Sequence, residues 1–274
     1  MTISSSNRLL ISHITLRGVE LEQLYRRIES QPGIYFNDLV FALSPDPCDH
    51  SRLELTETAL FEAVNFLIVA DMIRSEGSTR RQACFYPKPM LNDIPFPLLL
   101  LYHIQAHPDK RQRALALVQR HLVAEDILSS NTKDIRIEME RSSLGNLFVW
   151  TSEKVIFWSH LSHYLGTVRR LNHKNEILIV PQMSLLLKTL HWTNKTELVD
   201  IYHLRQSLDA IDRLFFACYT VHNRVHQGIV QALVALEKTG YVQFFHYSDS
   251  QSSLLLNERR ISHFRLKKED RLLL

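Results

Sequence analysis

Residues 225–257 read VHQGIVQALVALEKTGYVQFFHYSDSQSSLLLN. Ile229, Leu233 and Leu236, with Val230 and Ala232 beside them, recur at three- and four-residue steps, which predicts a helix with one buried face. Gly240 follows Lys238 and Thr239, where a helix needs a residue tolerant of positive φ and where a cation suits the last turn. Tyr241, Val242, Phe244, Phe245 and Tyr247 are aromatic or β-branched strand formers. The polar run Ser248 to Ser253 reads as a turn and Leu254 to Leu256 as the return strand. The stretch thus predicts a helix, a glycine stop and a hairpin pairing Tyr241–Phe245 with Leu254–Asn257, with Leu233, Leu236 and Phe244 in one core. Residues 202–214 and 215–221 are expected to be helices leading into it.

Two earlier stretches follow the same order. Between 58 and 87, Leu60, Val64, Leu67, Ile68 and Met72 form an apolar helical stripe, Ser75 and Gly77 stop it, STRR makes a basic turn, and QACFYP is a strand closed by Pro87. Ahead of it lie an amphipathic helix (Leu21, Leu24, Tyr25, Ile28) and a short helix in YFNDLVFAL, cut off by Pro45 and Pro47. Between 152 and 181, Val155, Trp158, Leu161 and Leu165 share a helix face and Gly166 ends it. TVRRL and EILIVP are then strands around the basic turn NHKN, pairing Thr167–Leu171 with Ile177–Val180. Helices are expected upstream in PLLLLYHIQA and RALALVQRHLVAEDIL, while DIRIEMERSSLGN is a connection without an assigned element.

Helix, glycine, strand, turn, strand thus recurs at 58–87, 152–181 and 226–261, a repeat of punctuation rather than of residues. Each unit resembles a winged helix-turn-helix, and HQGIVQALVALEKTGYVQFF fits that pattern best. The whole chain resembles the multi-winged-helix accessory proteins encoded in bacterial defence and DNA-modification islands. The resemblance implies a mainly α fold with short β-hairpins, tandem winged units, and a non-enzymatic subunit of an antiviral or modification complex. Three segments are expected: 1–95, 96–190 and 191–274.

With 274 residues, 45% of them hydrophobic and 22% charged, the chain can bury one large core or two to three small ones, the latter being expected, and is not of disordered composition. Cys48, Cys84 and Cys218 lie far apart with no CxxC pair, so a reduced, cytoplasmic setting without disulfides or structural zinc is expected. The start, MTISSSNRLLISHITL, lacks the features of a signal peptide, and FPLLLLY and ALFEAVNFLIVADMI are too short or too acidic to span a bilayer. Residues 1–95 hold nine Lys/Arg against twelve Asp/Glu, residues 96–190 twelve against eight, and residues 191–274 eleven against nine. A polyanion-facing surface is therefore expected in the last two segments.

The glycines form neither a GxxxxGK nor a GxGxxG loop, and no GxSxG elbow is present. No cofactor is implied. Asp134, Glu138 and Glu140 could suggest a metal-dependent nuclease, but they alternate with Ile135, Ile137 and Met139 as a polar face would. His222 and His226 stand four apart and His160 and His163 three apart, spacings that share one helix face. Asn223 and Arg224 follow His222 where a hydrolytic zinc helix would carry glutamate, so no metal site is assigned.

Duplex DNA is the expected partner. Base edges are read by Arg, Lys, Asn or Gln near a helix start, and cations on the flanks hold phosphates. The nucleic-acid-binding set is Lys154, Arg169, Arg170 and Lys174 in the middle segment, with Arg224, Gln227, Gln231, Arg259 and Arg260 in the last. The helix of the first segment carries Glu57, Glu62 and Asp71 without a cation from Thr56 to Met72, so that segment is expected to dock a protein partner. A scaffold of winged helices without DNA contact is the rival reading.

Overall fold

A computed structural model describes residues 8–267 except 47, 78, 80–81, 89–93, 172–174, 196–199 and 248–251. It is mainly helical, with small antiparallel sheets of two or three strands. No helix among the described residues is long and apolar enough to cross a membrane.

The elements fall into three runs of the same order, the third with a hairpin inserted before its last strand. The first is α1 (Gly18–Ser30), β1 (Ile34–Tyr35), α2 (Phe36–Leu43), α3 (His50–Val69), β2 (Ile73–Glu76) and β3 (Cys84–Pro87). After α4 (Phe96–Ala106), the second is α5 (Ala114–Ala124), β4 (Ser129–Asn131), α6 (Thr132–Arg141), α7 (Ser152–Leu165), β5 (Arg169–Leu171) and β6 (Glu176–Leu178). The third is α8 (Met183–Thr193), β7 (Tyr202–His203), α9 (Leu204–Leu214), α10 (Gln227–Lys238), β8 (Val242–Phe245), β9 (Leu254–Leu256), β10 (Arg259–Ile261) and β11 (His263–Leu266). The three-stranded sheets are ordered β1-β3-β2, β4-β6-β5 and β7-β11-β8. In each, the last strand lies between the strand before the second helix and the strand after the third.

The local causes are those of the sequence pattern. Leu21, Leu24, Tyr25 and Ile28 are the buried stripe of α1. Asp49 caps α3 by accepting from the Ser51 and Arg52 amides at 2.9 and 3.4 Å. α10 ends as a glycine-closed cap: the Tyr241 amide donates to the Leu236 carbonyl and the Gly240 amide to that of Glu237, with Gly240 at φ +77°. Leu233, Leu236 and Phe244 are all buried, and Arg169–Leu171 pairs with Glu176–Leu178.

Three expectations fail, and one stretch without an assigned element gains one. Tyr241–Phe245 does not pair with Leu254–Asn257; β8 pairs with β11, Phe245 facing His263, and β9 pairs with β10. The reason is a two-residue turn in which Asn257 (φ 45°) and Glu258 (φ 66°) both take left-handed backbone and place Leu256 opposite Arg259. Such a turn matches the strand twist and closes a hairpin locally. Phe215–Val221 is not a helix but the connection between α9 and α10, and α8 is the first helix of its run. The stop of α3 is Ala70 and Asp71, the latter at φ 63°, so Ser75 lies in a strand and Gly77 in the following turn. Finally, DIRIEMER belongs to α6, with Ile135 and Met139 buried one turn apart.

The chain packs into two compact units, residues 1–115 with 136–164, and residues 116–135 with 165–274. Their limits differ from 95/96 and 190/191, and the second of those positions falls inside α8. Fully buried Trp158, Tyr25, Phe36, Phe66, Phe85 and Phe96 form the aromatic core of the first unit. Phe215, Phe264, Leu233 and Leu236 are core residues of the second.

Candidate nucleic-acid interface

The start of α10 is held by backbone and by buried or half-buried polar groups of its own unit. Arg120 donates to the Asp212 carboxylate at 2.9 Å and to its carbonyl at 2.6 Å. The other carboxylate oxygen accepts from the Cys218 amide at 2.7 Å. Gln119 accepts from the Ala217 amide at 2.9 Å and donates to the Ala217 carbonyl at 3.3 Å. The chain then doubles back: Tyr219 bridges Val225, and the Val221 amide donates to the Ala124 carbonyl. His226 closes the arrangement from a fully buried position. Its Nδ1 accepts from the Gly228 amide at 3.1 Å, and its Nε2 donates to the Ile127 carbonyl at 3.1 Å. Because Nδ1 accepts from an amide it carries no proton, which makes the ring the neutral Nε2–H tautomer, and burial pushes its pKa down in the same sense. At Gly228 the helix runs so close to the sheet that an added Cβ would lie 2.1 Å from the Ile179 carbonyl oxygen.

This anchoring buries Ile229, Val230, Ala232, Leu233 and Leu236 and leaves Gln227 and Gln231 exposed, four residues apart on one face. Arg224 stands just ahead of them, 68% exposed and 3.7 Å from the Asp126 carboxylate. Between this first turn and the β9–β10 hairpin lies a cleft of about 420 Å³ whose polar lining includes Asp126, Arg205, Arg224, Gln227 and Glu258.

The other expected contacts are more dispersed. Arg259 is held by Glu237 in a two-pronged pair at 2.9 and 3.1 Å, and Arg260 is exposed on β10 opposite Leu255. Arg169 donates to the Pro181 carbonyl at 3.2 Å, and Arg170 is half-buried beside it on β5. Lys154 belongs to the first unit, where it donates to the Val149 carbonyl at 2.6 Å and lies 4.8 Å above the Phe148 ring. Burial, and then the Arg111 charge, lowers its pKa. Lys174 lies outside the described residues. The structure therefore gathers Arg224, Gln227 and Gln231, and it gives Arg259, Arg169 and Lys154 intramolecular partners closer than the Asp126 carboxylate is to Arg224.

The groups considered for metal chemistry have other roles. His222 sits in the turn before α10, not on a shared helix face, and both ring nitrogens of His226 serve backbone groups. His160 and His163 are exposed on α7. Asp134 accepts from Asn131 Nδ2 at 2.6 Å, while Asn131 caps α6 by accepting from the Lys133 and Asp134 amides. Glu140 pairs with Arg136 one turn away. Among the described residues, no three His, Cys, Asp or Glu side chains form a metal-binding group.

Arg205, Asp126 and Glu258 belong to the cleft and carry no sequence signal of it, and neither does the Gln119–Arg120–Asp212 anchor. Asn257-Glu258, between an apolar and a basic run, is the one local signal that pointed toward the hairpin wall. No protein-family model, curated protein or solved structure matches the chain.

Proposed function

We propose that the chain is a DNA-binding protein of tandem winged helix-turn-helix units, with α10 as its reading helix, acting without catalysis inside a larger DNA-associated complex. The observation that carries this reading is the outward face at the start of α10. Two glutamines one turn apart project from a helix whose start is fixed by His226, Gly228 and the Arg120–Asp212 anchor, and a mostly exposed arginine stands just ahead of them. Glutamine suits an adenine edge and arginine a guanine edge or phosphate, and a rigid mount lowers the entropic cost of presenting them. The recurring order helix, strand, helix, helix, strand, strand, with the last strand central, supports the winged assignment of all three runs.

A second reading rests on α3, the corresponding helix of the first run. Its exposed positions include Glu54 and Leu55, the latter 72% exposed, and its Arg52 is paired with Asp49 at 3.3 Å. A phosphate groove would repel this surface, and a protein partner fits it better. The first run thus serves docking while the last reads DNA.

The test is anisotropy of a labelled duplex titrated with the full chain at low and moderate salt. Binding that weakens steeply as salt rises is expected. Absence of binding even at low salt would leave the scaffold as the better reading.

A further inference from the structure

The cleft beside α10 has a charge composition that a continuous DNA backbone does not explain. Two guanidinium groups, Arg205 and Arg224, and two carboxylates, Asp126 and Glu258, line the same space. Phosphates alone would be attracted by the first pair and repelled by the second. A nucleotide presents both complements, because its phosphate accepts from guanidinium while the exocyclic amine of cytosine or adenine donates to carboxylate or amide oxygens. Val225, Val230 and Leu254 add an apolar lining against which a base plane can lie. The volume, about 420 Å³, is within the range of about 300–1,000 Å³ typical of small-ligand sites.

We propose that this cleft receives one unpaired nucleotide of a DNA strand, so that the protein favours duplex carrying a bulged or frayed base over continuous duplex. The inference rests on the DNA-binding reading above and specifies its substrate. Arg205 and Arg224 take the flanking phosphate, Asp126 and Glu258 take the base amine, and Gln227 and the outer face of α10 hold the adjoining duplex. All these residues belong to the second compact unit.

The experiment compares the full chain on three labelled DNAs of one sequence: continuous duplex, the same duplex with a single bulged cytosine, and the same with an abasic bulge. The abasic form keeps the backbone kink and removes the base. The cytosine bulge should bind about tenfold more tightly than the other two. A variant carrying Asp126→Asn and Glu258→Gln should lose that preference while binding continuous duplex at least as well as wild type, since two repulsive charges are gone. Asparagine tolerates the left-handed backbone of position 126, where φ is 58°, and thermal melting of the variant checks the fold. Equal binding to all three DNAs would overturn the inference and leave DNA binding standing. Equal tightness for the two bulges would assign the preference to bending and overturn it as well. Cytidine monophosphate added as competitor separates the sources: displacement of the bulged duplex at micromolar nucleotide would make a free nucleotide the occupant and overturn the strand assignment. Failure of every DNA to bind would overturn both readings.

Discussion

His226 shows how a single side chain can serve as a structural joint. It caps α10 with one nitrogen, reaches the Ile127 carbonyl with the other, and is fully buried. Its pKa lies below the ordinary histidine value, and in the first unit burial and the Arg8 charge bring His13 down to about 4. For both, the unfolded chain takes up the proton first as pH falls, so stability is full above about pH 6.5 and is lost below it. For His13 the loss continues down to about pH 4. Urea midpoints at pH 7.5, 6 and 5 should fall in that order, and a His226→Asn variant should show a shallower fall. A midpoint that rises toward pH 5 would contradict the buried neutral rings. Gly228 makes a second residue-scale test. Glycine to alanine in a helix ordinarily stabilises by up to about 1 kcal/mol, but here the new methyl would meet a carbonyl oxygen 2.1 Å away. Gly228→Ala should therefore cost about 1–3 kcal/mol, and a gain in the denaturant midpoint would show that α10 stands off from residue 179.

At the scale of elements, what was legible in the sequence is what local periodicity encodes. The stripes of α1 and α10, the Gly240 cap and the β5–β6 pairing all depend on residues a few positions apart. Leu233, with no exposed surface, should cost about 2–5 kcal/mol as alanine; a loss under about 0.5 kcal/mol in a denaturant titration would put α10 in the wrong helical phase. The β9–β10 hairpin is hard to read because the arginines of RRISHFRL mask two strand positions, Ile261 and Phe264, which are buried. Asn257-Glu258 does not carry the glycine that usually marks a two-residue turn, so its signal was weak. Glu258→Gly should relieve left-handed strain and raise stability by up to about 1 kcal/mol. A lower melting temperature for that variant would argue against the observed turn.

At the scale of the whole molecule, the two compact units exchange chain at 115/116, 135/136 and 164/165, so neither is one continuous piece of sequence. Segmenting at 95/96 and 190/191 follows the three sheets but not the packing, because punctuation does not reveal which segments share a core. The cleft was illegible for a related reason: Asp126, Arg205, Arg224 and Glu258 are brought together only by the tertiary fold. A fragment of residues 191–274 alone would lack Gln119, Arg120 and the Ala124 and Ile127 carbonyls that hold the α9–α10 connection. It should show weak helical circular dichroism and no cooperative melt, whereas the full chain should melt cooperatively. The central claim, that the start of α10 faces DNA, is tested most directly by duplex affinity across a salt series for wild type, Arg224→Ala and Glu54→Gln. Arg224→Ala should weaken binding to all sequences and reduce the salt slope by about one phosphate contact, while Glu54→Gln leaves both unchanged. Equal affinity and equal slope for wild type and Arg224→Ala, with both proteins folded, would remove α10 from the DNA surface.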